Sequence, residues 1–263
     1  MELSYTDHGQ GKVLVLIHGF CESKAIWGHS LKALSPHFRV LCIDLPGFGK
    51  SPLFEGSISI EEMADSINSL LEKLTIPNCT MIGHSLGGYV ILSFAEKYSS
   101  RLSGFGLFHS TAFADKNEKK ENRNKTITFI EKYGIDLFAK SFVPPLFDTN
   151  NRVHLVNEIT LLTTIASTTN KHTIIEVTKA MRDRPDRSNV LTSFAKPILF
   201  IIGKKDPAIP LEDSLHQCVL PMDSTVHLYE DTGHMGMYER TLETVEAIKN
   251  FTSYCHQKPY SPK

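Results

Sequence analysis

Short, unbroken apolar runs rich in β-branched residues recur along the chain: VLVLI (13–17), RVLCI (39–43), CTMI (79–82), GFGLF (104–108), PILFII (197–202) and TVHLY (225–229). A strand with one wet face alternates apolar and polar residues. Runs of this kind belong instead to strands covered on both faces, as in a parallel sheet. The intervals between them read as helices. Ser59 to Glu62 fits a capping box ahead of Met63, Ile67, Leu70, Leu71 and Leu74 on one helical face, and Leu242, Val245, Ile248 and Phe251 mark a further helix; both patterns have helical period. The expected fold class is α/β, a doubly wound, mostly parallel sheet, and 263 residues with 41% apolar content are enough for a sizeable buried core.

One interval is far longer than the others: about ninety residues separate the run ending at Phe108 from the one starting at Pro197. It carries helical periodicity at Ile127, Ile130, Gly134, Leu137 and Phe138, at Val153, Val156, Ile159 and Leu162, and at Ile174, Val177 and Met181. The expectation is a core built from residues 1–111 and 191–263, with 112–190 inserted as a helical cap. The tail HQKPYSPK (256–263) reads as loose.

Charge narrows the partners. A formal net charge of −1 provides no broad field for nucleic acid or an anionic membrane, and the longest apolar run is far too short to span a bilayer. Small molecules are the expected partners. The five scattered cysteines contain no Cys-x-x-Cys pair, and no His-Glu-x-x-His or similar spacing appears, so neither a metal nor another cofactor is expected. Such thiols fit a reducing, cytoplasmic setting.

The segment GHSLGG (83–88) stands between the run CTMI and the helical GGYVILSFAEKY. A Gly-x-Ser-x-Gly pattern on a strand-to-helix turn is the context of a nucleophile elbow. The sharp turn lifts the serine hydroxyl above the sheet, and close backbone packing demands the glycines. Ser85 is therefore the candidate nucleophile. A serine hydroxyl needs a base, and His234 in EDTGHMGMYE lies beyond the final run, where the carboxyl edge of the sheet can bring it over Ser85. The base needs a carboxylate to hold its tautomer, and Asp206 in IIGKKDPAIP directly follows PILFII. His18 and His84 flank glycine turns and read as structural. GFGKS (47–51) is not a phosphate loop, because the required leading glycine is Asp44. KNEKKENRNK (116–125) reads as a solvated helix face.

With HGF (18–20), Trp27, DLPGFGKS (44–51), GHSLGG (83–88), GKKDPAIP (203–210) and GHMGMYE (233–239) in the order Ser, Asp, His, the chain resembles the α/β-hydrolase superfamily in its capped, serine-nucleophile branch. The resemblance implies an oxyanion hole from the backbone N–H groups of Phe20 and Leu86, and cleavage of a small carboxylic ester or lactone through an acyl-enzyme. Similar capped relatives use the same triad for carbon–carbon hydrolysis or cofactor-free perhydrolysis, and a ligand receptor without turnover is a further reading. Where the acid follows the strand before the cap in this superfamily, the corresponding residue here would be Asp115; the tight GKKDP turn favours Asp206.

Overall fold

The computed structural model describes residues 2–257. Five parallel pairings and one antiparallel pairing join seven strands in the order β1-β3-β2-β4-β5-β6-β7: β1 Tyr5–His8, β2 Val13–Ile17, β3 Arg39–Ile43, β4 Cys79–His84, β5 Leu102–Phe108, β6 Ile198–Gly203 and β7 Ser224–Tyr229. The β4 backbone lies at the centre, and all six of its residues are buried. Gly104 and Phe105 point to opposite faces, as neighbours in a strand must. A Cβ on Gly104 would meet Cys255 and Phe251, whereas Phe105 packs against Phe194.

The helices are α1 Gly28–Leu34, α2 Ile60–Lys73, α3 Leu86–Tyr98, α4 Asn117–Tyr133, α5 Ile135–Phe142, α6 Val156–Thr168, α7 Lys171–Asp183, α8 Ser188–Ser193, α9 Leu211–Cys218, α10 Gly236–Glu239 and α11 Thr241–Gln257. α1 packs with α11, and α2 with α3. The capping box of α2 is present: Ser59 Oγ accepts from Glu62 N–H, and the Glu62 carboxylate accepts from Ser59 N–H. α4 to α7 lie between β5 and β6. Arg187 N–H donates to Ala112 O at 2.8 Å, joining the two ends of this segment at its base.

Three expectations are corrected locally. Gly134 does not continue a helix: at φ 83° it ends α4 and precedes α5. Val153 and Val156 are exposed, as is Leu242 in α11. β7 alternates exposed and half-buried residues, because it is the outer strand of the sheet and has one wet face. Of the tail, His256 and Gln257 close α11, and 258–263 lie outside the described residues. All five cysteines are buried and free, and no helix among the described residues is long and apolar enough to cross a membrane.

Candidate active site

β4 ends at His84 and α3 begins at Leu86, so the reversal of the chain falls on Ser85. Its backbone sits at φ 49°, ψ −112°, a conformation a residue with a Cβ adopts only when its surroundings hold it there. Ser85 N–H donates to Phe108 O at 2.9 Å, and Ser110 Oγ donates to Ser85 O at 2.7 Å. Glycines make the reversal possible. A Cβ on Gly83 would lie 2.4 Å from the carbonyl carbon of Gly87, and one on Gly87 would lie 2.6 Å from Ile17 O.

Ser85 opens onto a cavity of about 580 Å³ that Phe20 and His234 also line. The loop after β7 carries His234, and its N–H donates to Leu146 O at 2.7 Å. Its ring Nδ1 lies 2.8 and 2.9 Å from the two oxygens of Asp206, which leaves Nε2 as the ring nitrogen available to the cavity. Asp206 sits in the turn after β6, where Oδ1 also accepts from the N–H groups of Ala208 and Ile209 at 2.8 and 3.0 Å. Burial opposes the charged carboxylate, but His234 and His109 outweigh it and hold the group far below the usual range. Asp206 and His234 are thus bonded to each other, and His234 shares the cavity with Ser85. Leu86 is the first residue of α3, so its N–H has no partner within the helix.

His109 is the residue sequence reasoning missed. It follows β5 at φ 48°, and its Nδ1 lies 3.1 Å from Asp206 Oδ2 while Nε2 accepts from Gly236 N–H at 3.3 Å. That pair of partners fixes the neutral tautomer with the proton on Nδ1. Burial pushes its pKa down to about 4 against the opposing pull of Asp206, so the ring stays uncharged at neutral pH. No motif surrounds it in sequence; only the register of β5 beside β6 brings it to Asp206. His109, Asp206 and His234 offer ligand atoms within 4.8 Å of one another, the one such group among the described residues. Their donors and acceptors already satisfy each other, and a cation would have to displace both imidazole protons.

A second buried chain of bonds lies behind the elbow. Glu22 Oε2 accepts from Gly19 N–H at 2.5 Å and faces His84 Nδ1 at 3.0 Å, while His84 Nε2–H donates to His234 O at 2.8 Å. Burial alone would lower the His84 pKa, yet Glu22 raises it; burial would raise Glu22, yet His84 lowers it. Both shifts favour a carboxylate–imidazolium pair that ties the Gly19 turn to the His234 loop.

Asp115 is not beside His234. Its buried carboxylate lies 2.8 Å from Arg123 Nε and 2.7 Å from Arg184 Nη1. The charged stretch 116–125 is mostly exposed, as a solvated face should be, but Lys119 and Arg123 are half-buried and line the cavity. Of the aromatics between β5 and β6, Phe113, Phe138 and Phe142 line the cavity, as does Leu146, whereas Phe147 is packed against Tyr238. Asp44 accepts from Lys24 and from Lys50 N–H, a structural role for the loop around GFGKS.

A family model for the alpha/beta hydrolase fold matches residues 12–125. A thermophilic esterase from Thermogutta terrifontis superposes with a TM-score of 0.92 at 28% identity, over 97% of this chain and 94% of that one. The chain adopts the α/β-hydrolase fold. The sequence is 24% identical to the 2-hydroxy-6-oxononadienedioate/2-hydroxy-6-oxononatrienedioate hydrolase of Escherichia coli, over 95% of this chain and 91% of that protein. It is 35% identical to an abhydrolase domain-containing protein of Caenorhabditis elegans over 125 residues, which are 44% of this chain and 28% of that protein.

Proposed function

We propose that the protein is a serine hydrolase that cleaves a small carboxylic ester or lactone through an acyl-enzyme, with Ser85 as nucleophile, His234 as base and Asp206 as the acid that orients it. The observation that carries this reading is the constrained backbone of Ser85, facing the same cavity as an imidazole whose Nδ1 is bound to a buried carboxylate. With Nδ1–H held by Asp206, Nε2 accepts the Ser85 proton as Oγ attacks the carbonyl carbon. The tetrahedral oxyanion is received by the N–H groups of Phe20 and Leu86; in related sites, removing one such donor costs about 3 kcal/mol or more. The oxyanion then collapses, the alcohol leaves with the proton from His234, and water repeats the sequence to release the acid. The segment 112–190 serves as a lid that limits access of water to the acyl-enzyme. No metal or other cofactor enters the mechanism.

The kinship with the thermophilic esterase supports ester cleavage. The Escherichia coli relative is named a hydrolase of 2-hydroxy-6-oxo dienedioates and trienedioates, which carry no ester group, and this keeps carbon–carbon hydrolysis as a second reading. A panel of short esters, lactones and β-diketones decides between them, run with wild type and Ser85→Ala and with a fluorophosphonate probe. Ester turnover and labelling should both disappear in Ser85→Ala. Labelling and turnover at wild-type rate in that variant would place the nucleophile elsewhere, and a wild type inert toward the whole panel would favour a ligand receptor.

A further inference from the structure

The cavity has two unlike sides. One carries Phe20, Phe138, Phe142 and Leu146, an apolar surface suited to hydrocarbon. The other is built largely by α4, which presents Lys119, Asn122, Arg123 and Thr126. These positions are spaced i, i+3, i+4 and i+7, so they form one face of the helix. An inserted helix that received only hydrocarbon would turn its apolar face inward; this one turns a polar and cationic face toward the cavity.

The charges on that side do not cancel. The whole cavity is lined by four cationic side chains, Lys116, Lys119, Arg123 and Arg184, against three carboxylates, Asp115, Glu118 and Asp213. Asp115 is shared between Arg123 and Arg184, so one acid serves two guanidinium groups. Lys116 lies 3.2 Å from Asp213, and Glu118 is exposed. Lys119 Nζ donates to Ala208 O at 2.9 Å and has no carboxylate within ion-pair distance among the described residues. Tyr89 stands under this group, with Arg184 3.9 Å above its ring. Its side chain is buried and lines the cavity. Burial would raise the phenol pKa, but Arg184, Lys119 and Arg123 outweigh it and lower it, which registers the positive potential at this spot. Tyr89 lies in the first turn of α3 beyond the elbow, with its N–H donating to Ser85 O at 3.4 Å.

We infer that Lys119, Arg123 and Tyr89 form a subsite for an anionic tail, so that the ester cleaved at Ser85 bears a carboxylate a few bonds from the reacting carbonyl. This rests on the serine-hydrolase reading for the cleavage step and on the cavity wall alone for binding. The cation and the phenol each supply a donor to the carboxylate, while the apolar side receives the uncharged half of the substrate. The tail can be carried on the acyl side or on the alcohol side.

Two measurements test it. In the first, kcat/KM is compared for monomethyl glutarate, for the acetate ester of 3-hydroxypropanoate, and for the neutral methyl pentanoate. One of the two anionic esters should be preferred by about tenfold or more, the scale of a charge-assisted contact, and which one is preferred identifies the side that carries the tail. Lys119→Met should erase the preference and Lys119→Arg should keep most of it. In the second, glutarate is titrated into Ser85→Ala by calorimetry at low salt. Binding should be measurable, should weaken with added sodium chloride, and should weaken at least fivefold in Ser85→Ala/Lys119→Met. Equal kcat/KM for charged and neutral esters, or glutarate affinity indifferent to Lys119, overturns the subsite. Glutarate bound by Ser85→Ala while wild type cleaves no ester keeps the subsite and overturns the esterase reading instead.

Discussion

Replacing Asp206 with asparagine exchanges one carboxylate oxygen for an NH2 group, and the bonds around the side chain dictate which oxygen is lost. Oδ1 accepts from Ala208 N–H and Ile209 N–H, so the amide oxygen will occupy that place. The amide NH2 then faces two rings that both present Nδ1–H, those of His109 and His234. His109 cannot easily adapt, because its Nε2 already accepts from Gly236 N–H. His234 can, by moving its proton to Nε2 and accepting from the amide at Nδ1. That tautomer has no lone pair for the Ser85 proton, and the imidazolium formed during the reaction also loses its counter-charge. The same exchange lowers turnover by about four orders of magnitude in a protease triad, equivalent to roughly 5 kcal/mol of barrier. The expected loss here is about 1,000-fold or more in kcat on p-nitrophenyl acetate at neutral pH. Circular dichroism should be unchanged, since both main-chain donors keep their acceptor. Asp115→Asn is the control: it unpairs Arg123 and Arg184, so it should lower the melting temperature, yet leave kcat within about fivefold. Retention of more than a tenth of the activity in Asp206→Asn, or a larger loss in Asp115→Asn, would refute the assignment of the acid.

The Glu22–His84 pair sets a pH window for stability. The folded carboxyl lies below its ordinary 4.5 and the folded imidazole above its ordinary 6.5. The pair's contribution is therefore fully present between those two values. It is lost as pH falls through the lowered carboxyl pKa, or rises through the raised imidazole pKa. Melting temperature should fall with pH above about 6.5 in wild type and less steeply in Glu22→Gln; parallel curves would show that the pair is not ionised. Phe142 packs against Phe20 and stacks on Phe138 at the cavity wall. Phe142→Ala should move preference in a p-nitrophenyl ester series toward longer acyl chains, and an unchanged profile would mean that its ring does not limit the acyl group. His109→Gln, which removes a ring donor to Asp206, should lower kcat more than it changes KM, and a KM effect alone would remove His109 from the positioning of the acid.

The parallel strands were legible because burial on both faces leaves an unbroken apolar run, and Leu14 to Ile17 or Ile198 to Ile202 need no other context. β1 was not: Tyr5–His8 is short, half exposed and edge-paired, so YTDH carries no such run. Ser85 could be found because a strand-to-helix reversal has strict local requirements, written as glycines at 83 and 87. His109 could not, because its relation to Asp206 depends on strand register across nearly a hundred residues of sequence. The inward turn of Lys119 and Arg123 within the otherwise exposed stretch 116–125 was hidden for a related reason. Lysines, glutamates and an arginine on a helix look alike from every side, and only packing tells which of them turn inward.

The outer position of β7 has a consequence for how the protein fails. Ser85 hangs from the central strand, whereas His234 hangs from a strand with one neighbour and exposed Val226 and Leu228. Edge elements with few covered bonds open at lower free energy than the centre of a sheet. A sub-global opening that frays β7 would carry the imidazole away while the elbow stayed folded, resisted locally by the bonds from Leu146 O and His84 Nε2 to the His234 backbone. On the serine-hydrolase reading, mild denaturant should silence the protein before its core melts, and the silenced form should still hold its serine in place.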